Sequence, residues 1–217
     1  MNIEQARFNM IEQQVRPWDV LDQSVLALLS AVRREDFVPQ AYRGMAFMDI
    51  DIPLGHGRVE PAPRVEARMV QDLNLSKHDT VLQIGVGTGY ITALLAHKAQ
   101  RVTALEGQAD LVATARTNLR QAGINNAEVL QDNGANGLTG QAPFDAILLT
   151  GSVAVVPQAL LDQLKEGGRL LAIVGQEPIM QATLFTRVAN GQFTRQELFD
   201  ITAPRLEGFA EPSQFKL

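Results

Sequence analysis

From Thr80 onward, short apolar, β-branched runs alternate with amphipathic stretches, and few folds accommodate that alternation. Thr80–Ile84 reads as a strand that stops at Gly85, and Tyr90–Lys98 follows with helical spacing. Arg101–Leu105, ending at Glu106, is a second strand; Gln108–Ala122, stopped by Gly123, is a second helix. Ala127–Leu130, Ala146–Thr150 and Arg169–Val174 are predicted strands, and Pro157–Leu164 a helix with proline in its first turn. This rhythm predicts an α/β fold with a doubly wound, mostly parallel sheet covered on both faces. Thr183–Val188 and Phe193–Leu198, joined through Asn190-Gly191, predict a C-terminal antiparallel hairpin.

Residues 1–75 have a different pattern. Ile3–Val15 has helical spacing, which Arg16-Pro17-Trp18 breaks. Val25–Val32 and Arg64–Leu73 are further helical stretches. Between them, Asp36–Pro63 carries Pro39, Pro53, Gly55, Gly57, Pro61 and Pro63 and reads as an irregular passage, functional or disordered. The expectation is one domain over 1–217, with a helical cap and acceptor loop in 1–75 and a cofactor-binding core in 76–217. The first residues mix charges of both signs and hold no apolar run, so no signal peptide is expected. No apolar stretch is long enough to cross a membrane, and the expected location is cytoplasmic.

Composition narrows the chemistry. There is no cysteine, so no thiol nucleophile or thiolate metal site is available. The three histidines, His56, His78 and His97, are scattered, and no metal is expected. A net charge of −5 argues against nucleic acid as a partner. A site in this chain works with carboxylates, hydroxyls, arginines and backbone groups.

The sharpest motif is Ile84-Gly85-Val86-Gly87-Thr88-Gly89-Tyr90, a glycine-rich turn between strand and helix. Glycine permits positive φ and close ligand approach, and the helix start that follows favours an anion. The dinucleotide fingerprint would place its third glycine at position 90, where Tyr90 stands. The Gly-x-Gly-x-Gly spacing instead suits a smaller anion such as an amino-acid carboxylate. Glu106, at the end of the next strand, is placed to accept from two ribose hydroxyls, and Asp132 ends the strand after that. A nucleoside with an amino-acid tail fits this set, which points to S-adenosyl-L-methionine. The cofactor-binding candidates are Gly85, Gly87, Thr88, Gly89, Glu106, Gly107, Asp132 and Thr150.

The chain resembles the protein-L-isoaspartate O-methyltransferases along most of its length. The resemblance runs through Met10-Ile11-Glu12-Gln13-Gln14-Val15-Arg16-Pro17, Arg34-Glu35-Asp36-Phe37-Val38-Pro39 and Ala46-Phe47-Met48-Asp49. It continues in the glycine loop, Ala142-Pro143-Phe144-Asp145 and Leu164-Lys165-Glu166-Gly167-Gly168-Arg169-Leu170. It implies a Rossmann-like methyltransferase fold. It also implies that the loop binds the cofactor's methionine part, Glu106 the ribose and Asp132 the adenine. The implied activity is carboxyl methylation of isoaspartyl residues in damaged proteins. Ala203–Phe209 loosely resembles a family segment near the acceptor site.

One stretch departs from the family. Its Thr-Ile-Ser-x-Pro pattern is Val59-Glu60-Pro61-Ala62-Pro63 here, and Pro61 has neither hydroxyl nor N–H to donate. The family's first-strand Glu is Gln83, and the run after the fourth strand is Thr150-Gly151-Ser152-Val153. Three acceptor-loop positions are candidates for the chemistry: His56 as a base, Arg58 as a grip on an anionic acceptor, and Pro61 in place of the serine. Should Glu60 point the same way as Arg58, it would pair with Arg58 or repel an anionic substrate, and Asp49 and Asp51 add negative charge. Trp18 and Phe47 read as core. Three readings stand at this point: isoaspartyl methylation, methylation of another acceptor such as a small molecule, and a non-catalytic cofactor-binding module.

Overall fold

A computed structural model describes residues 2–211. Seven strands form one sheet in the order β5-β4-β3-β6-β7-β8-β9, where β3 is Thr80–Ile84, β4 Arg101–Glu106, β5 Ala127–Gln131, β6 Phe144–Val153, β7 Leu164–Gln176, β8 Ile179–Arg187 and β9 Phe193–Asp200. Strands β5, β4, β3, β6 and β7 run parallel; β8 and β9 complete the sheet as an antiparallel hairpin. The α/β expectation holds, hairpin included. Asn190 carries the left-handed conformation of the hairpin turn, at φ 64°.

The parallel strands are apolar on both faces because both are covered. Val81, Ala146 and Leu148 pack with α2 (Gln23–Ala31), α3 (Pro63–Asp72), α4 (Tyr90–Lys98) and α5 (Ala109–Gln121). Their neighbours Leu82, Ile147 and Leu149 pack on the opposite face with α6 (Gln158–Leu161), Leu206 and Phe209. The cap's Met10, Val15, Val25 and Leu29 belong to the same apolar cluster as the first face. In the cap, α1 (Ile3–Met10) runs on into a π-helical stretch over Ile11–Val15, and Arg16–Trp18 closes it as a 3-10 turn, with Asp19 left-handed at φ 59°.

Three sequence expectations are corrected. The passage 36–63 is not wholly irregular: Ile52–Gly55 (β1) and Arg58–Glu60 (β2) pair as a small antiparallel hairpin. Its turn takes three successive left-handed residues, Gly55, His56 and Gly57. Pro53 inside a four-residue strand hides the alternation that would have shown it. The helix expected over Pro157–Leu164 is only the single turn of α6, because Leu164 already pairs with Phe144 at the start of β7. Strand β7 therefore begins five residues before Arg169, across Gly167 and Gly168.

Candidate active site

In the sheet order, β3 has β4 on one side and β6 on the other, so the chain reverses its direction of growth at β3. Ligands of such sheets sit at that reversal, outside the carboxyl ends of the strands. Gly85, Glu106, Asp132 and Thr150 all lie there, at or just past the ends of β3, β4, β5 and within the last turn of residues of β6. The parallel register brings them together: Ile84 pairs with Leu105 and with Leu149, and Glu106 with Gln131.

Each amide of the glycine loop has an acceptor within the chain. Gly85 N–H donates to Leu105 O at 2.9 Å and Gly89 N–H to Val86 O at 3.1 Å. Glu106 Oε2 accepts from the N–H of Val86 (2.8 Å) and Gly87 (3.1 Å), and its Oε1 accepts from Gln108 N–H at 3.2 Å. Thr88 donates twice to Glu60 Oε2, from N–H at 3.0 Å and from Oγ1 at 2.6 Å. Glu60 and Glu106 are both buried. Thr150 Oγ1 donates to the carbonyls of Ile84 and Gly85. Gly87 is required as glycine: its φ is 58°, and a Cβ there would stand 3.1 Å from the Glu60 carboxylate. At Gly85 a Cβ would come within 2.6 Å of the Arg58 guanidinium.

Arg58 thus reaches into the site, with Nη2 3.8 Å from Glu106 Oε2. It does not pair with Glu60, which turns away to Thr88. The two side chains therefore do not point the same way, the condition on which an Arg58–Glu60 pair depended. A small cavity, with about 20 Å³ of free volume, lies between Arg58, Val59, Pro61, Thr150, Gly151 and the returning tail at 201–204. That is room for about one water, whereas ligand pockets run to several hundred Å³. The glycine loop is buried beneath the β1–β2 hairpin and Leu206. A larger recess beside α2 and α5, lined by Val32, Phe37 and Asn118, contains none of the residues read from the sequence as functional.

The other expected residues separate. His56 sits at the exposed hairpin tip with Nε2 3.0 Å from Asp110 Oδ2, and His56 holds the Asp110 carboxyl below the usual range. It does not line the cavity. Pro61 does, and its carbonyl accepts from Arg34 Nη2 at 2.7 Å. Asp49 pairs with Arg64, and Asp51 accepts from Ala62 N–H at the start of α3. Asp132 is exposed and closes its own turn, Oδ1 accepting from Gly134 N–H at 2.7 Å. Gly107 lies under the tail, where Glu207 accepts from Gln108 Nε2 at 2.7 Å. Phe47 is buried; Trp18 is half-buried, edge-on to Phe199 at 5.2 Å.

Beneath the loop lies a buried ionic group that the sequence did not disclose. Arg34 Nε donates to Glu66 Oε2 at 2.8 Å, and both side chains are essentially inaccessible. Burial pushes the Glu66 carboxyl well above the usual range; Arg34 opposes this, and neighbouring Glu60 adds to it. One cation beside two carboxyls leaves a proton to be held. A carboxyl raised by folding contributes stability below its unfolded value of about 4.3, and that contribution is lost as pH rises toward the folded value. Glu66→Gln cannot lose a proton. Its stability relative to wild type is expected to grow between about pH 4 and about pH 7 in thermal unfolding. A difference that stays constant with pH would show Glu66 ionised in the fold.

Comparison with known proteins adds the decisive observation. A sequence profile of the protein-L-isoaspartate(D-aspartate) O-methyltransferases matches residues 5–202. The chain belongs to the protein-L-isoaspartate O-methyltransferase family. It is 40% identical to the protein-L-isoaspartate O-methyltransferase of Methanoculleus marisnigri over 169 residues, 78% of this chain and 77% of that one. It is 38% identical to that of Koribacter versatilis over 194 residues, 89% and 87% of the two. Among solved structures it superposes at a TM-score of 0.81, with 22% identity, on a Plasmodium falciparum protein described as a putative protein-L-isoaspartate O-methyltransferase in complex with S-adenosyl-L-homocysteine. That match covers 95% of this chain and 99% of the other. The family match spans cap and core alike, so the altered acceptor loop sits within an otherwise continuous protein-L-isoaspartate O-methyltransferase chain.

The donor set is consistent with the family's cofactor at its nucleoside end. A carboxylate has about four acceptor positions; three of those on Glu106 are used by loop amides, leaving capacity for a ribose hydroxyl. The Thr88 donors, read from the sequence as part of the cofactor loop, already face Glu60.

Proposed function

We propose that this chain methylates a carboxylate of isoaspartyl residues in proteins, with S-adenosyl-L-methionine as donor. The observation that carries the reading is the family match over residues 5–202, which includes the acceptor side as well as the cofactor side. When bound, the cofactor supplies an electrophilic methyl group on a sulfonium. Glu106 would hold a ribose hydroxyl, Gly85, Gly87 and Gly89 would give the backbone close approach, and Asp132 and Gly107 would border the base. Thr150 fixes the loop carbonyls at the end of β3, so the floor of the site is rigid where the acceptor must be aligned.

The acceptor side needs little proton chemistry. A carboxylate with an ordinary pKa of about 4 is ionised at neutral pH and attacks as it stands. That agrees with a cavity wall holding no histidine and with His56 lying outside at the hairpin tip. Arg58, Pro61 and Val59 line the acceptor side, with Arg58 as the cation nearest an incoming carboxylate. With only a water-sized cavity between hairpin and tail, substrate entry requires one of them to shift. The cap and the sheet act as one domain on this reading, supported by the apolar cluster they share. The partner is a protein or peptide, and the setting is repair in the cytoplasm. Among the described residues no helix is long and apolar enough to cross a membrane. Another acceptor, or a non-catalytic role, has less behind it than relatives close to 40% identical over most of the chain.

The test is transfer of labelled methyl to an isoaspartyl peptide, with the matching aspartyl peptide as control. A base-labile methyl ester on the first alone is expected. No transfer, with nucleoside binding retained, would overturn the acceptor assignment.

A further inference from the structure

Five consecutive loop amides, from Gly85 to Gly89, each have an acceptor within the chain, and one of those acceptors is unusual. Glu106 belongs to the strand end and serves two of the amides. Glu60 comes from the β1–β2 hairpin, 28 residues earlier in the chain than Thr88. It places a carboxylate just ahead of the nine-residue helix α4, whose N-cap, Gly89, offers no side chain of its own. A helix start of this kind favours one anion. Here that anion is built in, buried, and held by both donors of Thr88.

We propose that Glu60 tunes the cofactor affinity of the glycine loop: it occupies the anchoring point of an amino-acid carboxylate, so S-adenosyl-L-methionine and its product bind more weakly than they would to a loop with free Thr88 donors. The inference rests on the nucleoside reading of the site given above. The carboxylate of a ligand such as S-adenosylhomocysteine has to displace Glu60 from Thr88 or sit beside it in a buried, low-dielectric place, where like charges repel strongly. The ligand's α-ammonium can pair with Glu60, but that pairing leaves the ligand's carboxylate without the Thr88 donors. A nucleoside thioether without the amino-acid tail, 5′-deoxy-5′-methylthioadenosine, meets no such conflict. The result is a cofactor site that keeps its nucleoside half and binds the complete cofactor weakly.

Glu60→Ile removes the carboxylate and leaves Arg34 paired with Glu66. Calorimetric titration of the full chain with the two ligands separates the ends of the site. In the wild type, S-adenosylhomocysteine is expected to bind no more than about threefold tighter than methylthioadenosine. In Glu60→Ile its Kd is expected to tighten by about tenfold or more, the usual scale for hydrogen bonds to a charged group. Methylthioadenosine should stay within about threefold, a margin that corresponds to less than one hydrogen bond. Glu60→Gln keeps the size of the side chain and removes its charge, so it gives the same direction of change should the isoleucine variant unfold. S-adenosylhomocysteine binding that weakens or does not change in these variants, while methylthioadenosine still binds, would overturn the proposal. Failure of methylthioadenosine to bind any form would overturn the nucleoside reading itself, and this proposal with it.

Discussion

Replacing Arg34 with methionine is expected to lower the unfolding free energy by about 3–5 kcal/mol, the cost of removing one partner of a buried ion pair. The side chain is 1% exposed and spends three of its donors inside the protein. They go to Glu66 at 2.8 Å, to the Ala46 carbonyl at 2.7 Å and to the Pro61 carbonyl at 2.7 Å. Its guanidinium also stands 5.7 Å from the centre of the Tyr90 ring. Methionine fills most of the volume but leaves two carbonyls and two neighbouring carboxyls without their common cation. Urea unfolding checks this: the midpoint should fall with the slope unchanged. A loss below about 1 kcal/mol would mean that the desolvation of the pair nearly cancels its attraction. Adding Glu66→Gln should recover part of the loss, because one buried carboxyl is then neutral.

Removing the Glu106 carboxylate, as in Glu106→Ala, is expected to weaken nucleoside binding by about tenfold to a hundredfold. Loss of a hydrogen bond from a ribose hydroxyl to a charged acceptor is worth about 1.5–3 kcal/mol, which is that range. The same carboxylate is the acceptor for Val86, Gly87 and Gln108, so the loop loses its tether to β4 as well. Calorimetric titration with S-adenosylhomocysteine and with methylthioadenosine should show both ligands weakened alike. That pattern differs from the one expected at Glu60, where the two ligands part. A change below about threefold for both would remove Glu106 from the site.

The core strands were readable because burial on both faces makes them short continuous apolar runs ending at glycine or acid. Thr80–Ile84 and Tyr90–Lys98 have the bounds expected from sequence. The glycines and Glu106 were readable for the same reason: a strand end is a fixed point, and the parallel register sets it beside its neighbours. What escaped was long-range. Glu60 was visible as a departure from the family, but its partner, Thr88, is set by how a hairpin folds over the loop. Arg34 and Glu66, 32 residues apart, meet only once α3 has packed. Glu66 lies on the buried side of α3 among Val65, Met69 and Val70, where a helical pattern alone places no charge. Leu206 was visible only through the likeness of 203–209 to a family segment, because residues after the last strand carry no period.

That returning tail has a consequence for the order of events during synthesis. After β9 the chain crosses back to β6, where Ser152 N–H donates to Pro204 O and Leu206 N–H to Ser152 O, at 2.8 and 2.9 Å. The floor of the site is complete once β6 has paired, yet its roof arrives more than fifty residues later. At ribosomal rates of about 5–20 residues per second, those residues take some seconds to be made. The Thr88 donors do not depend on them: their acceptor, Glu60, lies in the cap and is made before the loop itself.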